Sequence, residues 1–252
     1  MVSAPAVDGA ELANGRAIPI RLRDRAMRDR RKTRRAGMNP NGATRMGEYN
    51  QDQWISLQAV RGTCDALAAS EVERLKEGCL DYLRFRAGLD RFQDELIAAA
   101  CRTICFDTGM SACCGFESIF TFFADHVVNT LFSERRETDA LFSVLRRANR
   151  TGRCVYLGNG GCMWRIRPIS CAMFFCDKIK EGILRADPET AERWSALQAM
   201  EKEFTWPVKP VLFDDLEKYF LGLGAKSPHM YFHQSPGLLR LKKKSGTGDF
   251  RA

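Results

Sequence analysis

Only three of the 252 residues are histidine, no two cysteines are spaced Cys-x-x-Cys, and no apolar run reaches the length of a membrane span. Each of these lacks excludes a class of function. Without Cys-x-x-Cys there is no thioredoxin-type exchange motif. The best apolar stretch, Ile119 to Phe132, is broken by Asp125, His126 and Asn129, so no membrane span is expected. A radical-AdoMet site needs C-x3-C-x2-C. Cys101 and Cys105 satisfy the first gap, but residue 108 is Thr. The glycine runs at 158–161 and Gly222-Leu223-Gly224 lack the Gly-Lys-Ser/Thr ending of a phosphate loop. His229 and His233 have helical ligand spacing without the glutamate of HExxH, and Pro236-Gly237 follows closely, so a surface segment is expected there. His126 reads as a structural residue of its helix. The opening Met1-Val2-Ser3-Ala4-Pro5 has no basic region leading into an apolar one, so no signal peptide and a cytoplasmic location are expected.

What the chain does have is cysteine. Eight of its ten fall between Cys101 and Cys176, in two clusters. The first is Cys101-x3-Cys105-x7-Cys113-Cys114; the second is Cys154-x7-Cys162-x8-Cys171-x4-Cys176. Thiolates are soft anionic ligands, and four suffice for a zinc ion or an iron–sulfur cluster. All eight are therefore candidate metal ligands, enough for two four-thiolate shells. A disulfide framework belongs to small secreted domains and fits this chain less well. Cys64 and Cys79, outside the clusters, read as small apolar core residues. On a helix Cys101 and Cys105 share a face. Arg165 and Arg167 place positive charge among accumulating thiolates, and Pro168 fixes a turn that returns Cys171 toward Cys162.

The second cluster resembles a known family. Cys154-Val155-Tyr156-Leu157, then Gly161-Cys162-Met163-Trp164-Arg165-Ile166-Arg167-Pro168-Ile169-Ser170-Cys171, is similar to the cysteine-cluster family called YkgJ. Its most specific part is Arg167-Pro168 between Cys162 and Cys171. The resemblance implies a zinc- or iron-chelating domain, and a related domain occurs in flagellin lysine methylases. The first cluster keeps the Cys113-Cys114-Gly115 step but stretches the family's compact C-x-x-C-x-x-C-C.

Charge is unevenly spread. Residues 1–50 hold 11 basic and 5 acidic side chains, and residues 238–252 hold 5 basic and 1 acidic. Of the total of +8 the tails account for +10, which leaves the body at −2. Residues 1–50 read as a disordered basic arm, 51–237 as a helical domain carrying the cysteines of 101–176, and 238–252 as a basic tail. Nucleic acid is expected as a partner only through the arm, by contacts to phosphates.

The fold expected is mainly α with a minor β part: a helical body with a small cysteine-rich metal-binding hairpin and loop region. Ser70 and Glu73 form a capping-box pattern before Val72, Leu75, Leu80 and Leu83, with Gly88 as a stop. A second helix from Phe92 carries Cys101 and Cys105 in its last turns. Phe116 to Leu131 reads as a buried helix, and Ser133 as the cap of the next. Residues 154–157 and 162–166 read as strands joined by a turn at 158–161, which sets Cys154 across from Cys162. Asp187-Pro188 opens a helix to Phe204, and Phe213–Leu221 is another.

Functionally, the expectation is a metal-binding protein holding zinc or iron, an iron–sulfur cluster being one form of the iron. The alternatives are an iron–sulfur-dependent enzyme or electron-transfer protein, of the flagellin lysine methylase sort.

Overall fold

In the computed structural model, residues 47–110, 113–115, 121–147, 152–206 and 210–231 are described. They all fall within one compact unit, Met38–Ala252. The arm below residue 47 and the tail from 232, with His233, lie outside them.

Helix α5 (Phe123–Phe132) is the hub. Phe123, Ala124, Val127 and Val128 are wholly buried. Its apolar residues cannot face water, and the chain wraps it with α1 (Glu48–Ala66), α2 (Ala69–Gly78) and α10 (Leu212–Gly222). Helix α6 (Arg135–Leu145) packs on α1, and α9 (Pro188–Thr205) packs on α3 (Leu80–Leu96) and α10. Aromatic rings fill the seams. Tyr82 meets Phe204 and Phe213 edge-on, and Phe123 meets Phe220 the same way. Each such buried ring contributes about 1.5–3 kcal/mol relative to exposure.

The mainly helical expectation holds, with one minimal sheet among the described residues. Several boundaries move. Helix α1 begins at Glu48, inside the stretch assigned to the arm. Helix α2 is capped two residues earlier than the Ser70 pattern indicates: Glu71 reaches back to accept the Ala68 N–H at 3.2 Å. Gly88 lies inside α3 and does not stop it. The cap of α6 is Glu134, whose N–H donates to Glu137 at 2.7 Å, not Ser133. The helix expected from Phe116 starts at Phe123 among the described residues, preceded by extended Phe122. Asp187 does cap α9, accepting from the Thr190 N–H at 2.8 Å.

The expected hairpin is present but short. Strands β1 (Leu157–Gly158) and β2 (Gly161–Cys162) pair antiparallel, with Leu157 opposite Cys162. That register corrects the expectation that Cys154 faces Cys162, since Cys154 lies before the strand. Gly161 has φ +109°, a conformation that side chains with a Cβ rarely adopt.

Three polar residues interrupt the apolar run of α5, and all three are buried. Asp125 accepts the N–H of Phe122 at 3.0 Å and of Ile169 at 2.9 Å. Asn129 accepts the N–H of Ile166 at 3.0 Å. From α3, Arg86 donates to the carbonyl of Arg167 at 2.7 Å, and Gln93 donates to that of Ala172. Four buried side chains thus hold the backbone of residues 166–172, the segment that follows the hairpin and carries Cys171.

Candidate metal centre

Helix α4 (Ala98–Cys101) runs directly into a π-helical turn, Arg102–Phe106, so Cys101 and Cys105 are successive along one short helical stretch. Such wide turns are uncommon and often mark functional sites. Gly109, at φ 70°, reverses the chain after it, and the Met110 N–H closes back on the Cys105 carbonyl at 3.0 Å. The Cys113-Cys114 step is tied to the hairpin: the Cys154 N–H donates to the Cys114 carbonyl at 2.6 Å, and Gly115 bridges to Arg153. Cys162 ends β2. Cys171 lies on α7 (Ile169–Met173), opened by Pro168, and Cys176 caps α8 (Asp177–Ile179).

All eight clustered cysteines line a single cavity of about 550 Å3. Ile97, Leu157, Trp164, Phe174 and Phe175 supply apolar walls, and Arg165 and Arg167 supply positive charge. Arg167 pairs with Asp90 at 3.0 Å and donates to Gln93; Arg165 pairs with Glu137 at 3.3 Å. Among the described residues no three His, Cys, Asp or Glu side chains converge closely enough to close on one ion. The thiols are distributed over the lining of one cavity.

All ten cysteines are free thiols. Burial pushes Cys101 up to about 11, and the neighbouring Cys113, Cys176 and Cys105 add to the shift. Burial likewise pushes Cys154 and Cys171 up to about 12, with Cys162 nearby in both cases. Cys162, exposed as a residue, has its thiol raised by desolvation as well. The Cys113 and Cys114 thiols are hydrogen-bonded to each other, which raises Cys113 and lowers Cys114. Thiols held neutral in this way give up their protons when a cation supplies compensating charge. The donor set fits a soft metal: eight sulfurs, apolar walls and two guanidinium groups.

Cys79 is fully buried and Cys64 partly buried in the main core, away from the cavity. Sequence reasoning passed over the four side chains that hold residues 166–172. The signal for two of them was present in the polar residues punctuating an apolar helix. It also missed a pair: buried His126 and partly buried His229 stack at 5.4 Å, with Nε2 and Nδ1 3.3 Å apart, and His229 Nδ1 lies 2.9 Å from the Ser56 hydroxyl. Neither histidine lines the cavity. No protein-family model matches the chain, and no curated protein or solved structure is significantly similar to it.

Proposed function

We propose that the chain is a metal-binding protein whose clustered cysteines hold iron in iron–sulfur form. The observation that carries this reading is the convergence of eight thiols, from segments spread over residues 101–176, on one cavity. Zinc bound by four cysteines needs every sulfur about 2.3 Å from one point. An iron–sulfur cluster brings its own inorganic sulfides, and its cysteines sit around a volume. Thiols distributed over the lining of one cavity suit the second demand better. The likeness of the Cys154–Cys171 stretch to the YkgJ family, with its zinc- or iron-chelating character, agrees with a metal role. Free thiols throughout agree with a reducing compartment such as the cytoplasm.

Such a centre would tie together chain segments with little regular structure of their own: the π-helical turn, the Cys113-Cys114 step, the two-residue strands and the short helices at Cys171 and Cys176. Its role is then to hold these segments and to carry electrons. The test is the iron content of the anaerobically purified full chain beside that of Cys162→Ser and Cys171→Ser. Iron should fall in both variants. Unchanged iron in both contradicts the proposal, and zinc in place of iron in the wild type contradicts the choice of metal.

A further inference from the structure

We infer that the eight cysteines form two four-thiol centres that each draw on both sequence clusters: Cys101, Cys105, Cys113 and Cys176 in one, and Cys114, Cys154, Cys162 and Cys171 in the other. The inference rests on the metal reading above and specifies its ligand sets. Read along the chain, the cysteines divide differently, into 101–114 and 154–176. The fold crosses that division at two residues, Cys114 and Cys176.

The packing makes the first case. Cys101 and Cys176 lie against one apolar cluster, built on Phe92, Ile97, Phe175 and Ile179. Cys114 and Cys154 lie against a different one, built on Leu57, Leu145, Tyr156 and Trp164. Residues of both clusters line the one cavity, Ile97 and Phe175 from the first and Leu157 and Trp164 from the second.

Backbone bonding makes the second. The 2.6 Å bond from the Cys154 N–H to the Cys114 carbonyl and the Gly115–Arg153 bridge fasten Cys114 to the start of the hairpin. The hairpin register then carries Cys162 alongside, with Leu157 opposite it and the Met163 N–H donating to the Tyr156 carbonyl at 2.9 Å. On the other side, the Cys101 N–H closes on the Ile97 carbonyl at 2.9 Å and Cys105 follows one wide turn later. The thiol neighbours agree: Cys101 is near Cys113, Cys176 and Cys105, while Cys171 is near Cys162 and Cys154. Cys113 and Cys114, adjacent and hydrogen-bonded through sulfur, form the step between the centres. Two-cluster ferredoxins follow the same logic, in that one cysteine of a run ligates the other cluster.

Paired substitutions separate this arrangement from the one the linear order suggests. The full chain and its variants are loaded anaerobically with ferric iron, sulfide and a thiol reductant, and bound iron is measured. Cys101→Ser with Cys176→Ser strikes a single centre and should leave about half of the wild-type iron. Cys101→Ser with Cys114→Ser strikes both and should leave almost none. The reverse pattern, with the first pair empty and the second half-loaded, overturns the inference while leaving the metal reading intact. A wild-type chain that takes up no metal overturns both. The wild type, free of metal, gives a second reading that needs no variant. Short bifunctional thiol cross-linking with dibromobimane should join Cys176 to Cys101 or Cys105, and Cys114 to Cys154, Cys162 or Cys171. Cross-links that join Cys176 mainly to Cys162 or Cys154 overturn the inference.

Discussion

The backbone N–H of Cys154 donates to the carbonyl of Cys114 at 2.6 Å, so residues 40 positions apart in the chain meet at the cavity wall. The bond precedes any ligand: it is made by the main chain and does not depend on either thiol. It sets the Cys113-Cys114 step against the hairpin before metal arrives, which lowers the ordering entropy that binding must offset.

The hairpin turn is the next point of control. Gly161 sits at φ +109°, whereas Gly160 has open space around the position of a Cβ and no such conformation. Gly161→Ala should lower stability by about 1–3 kcal/mol and reduce retained metal through the neighbouring Cys162. Gly160→Ala should change either quantity little. Urea denaturation and metal content of the two variants check the contrast.

Arg86 is 3 % exposed, and its guanidinium donates both to the Tyr82 hydroxyl at 3.1 Å and to the Arg167 carbonyl at 2.7 Å. Arg86→Met keeps an unbranched apolar stem and removes both bonds. It should cost about 1.5–3 kcal/mol, the usual worth of hydrogen bonds from a charged donor. Because residues 166–172 lose one of four anchors, metal should also dissociate faster, measured by transfer to a chromophoric chelator.

The His126–His229 pair predicts acid sensitivity. Burial lowers His229 to about 4 and His126 well below its ordinary 6.5. Below 6.5 the unfolded chain takes up protons that the folded chain refuses. This share of the stability is complete above that pH and is lost as pH falls toward 4, at about 1.4 kcal/mol per pH unit for each histidine. Asp125, raised by burial to about 7, works in the opposite direction, its ionisation weakening the fold as pH rises. The two are separated by substitution. The loss of stability from pH 7 to pH 5 should be smaller in His229→Asn than in the wild type, by urea midpoints. Equal losses contradict the assignment.

Metal should also support the fold. The clustered cysteines sit on short segments, the π-helical turn, the two-residue strands and the helices at Cys171 and Cys176, which a bound centre would tie together, so binding free energy is folding free energy. A strong chelator should lower the melting temperature of the wild type markedly. An identical cooperative transition after complete removal rules this out.

Much of this was legible in the residues. The eight cysteines announce themselves by number and spacing, and Asp187-Pro188 opens a helix because the side-chain cap and the missing N–H act locally. Local signals misled where two were in competition. Ser70 and Ser133 look like better caps than Ala68 and Glu134, yet Glu71 and Glu137, at the third helical position, reach back to satisfy the first N–H whatever the cap residue is. Gly88 is tolerated inside α3 because neighbouring Leu89 and Phe85 are buried and packing outweighs its propensity. The crossing of the cysteine clusters was not legible at all. It depends on a long-range bond between Cys114 and Cys154 and on which apolar cluster each thiol rests against, and neither leaves a trace in spacing.

The most direct test of the central claim is the iron and acid-labile sulfide content of the full chain purified without oxygen, read together with its visible absorption. The account predicts iron and sulfide in matched amounts and a broad visible band that acid abolishes. A chain that carries no metal under these conditions, with its clustered thiols paired as stable disulfides, would contradict it.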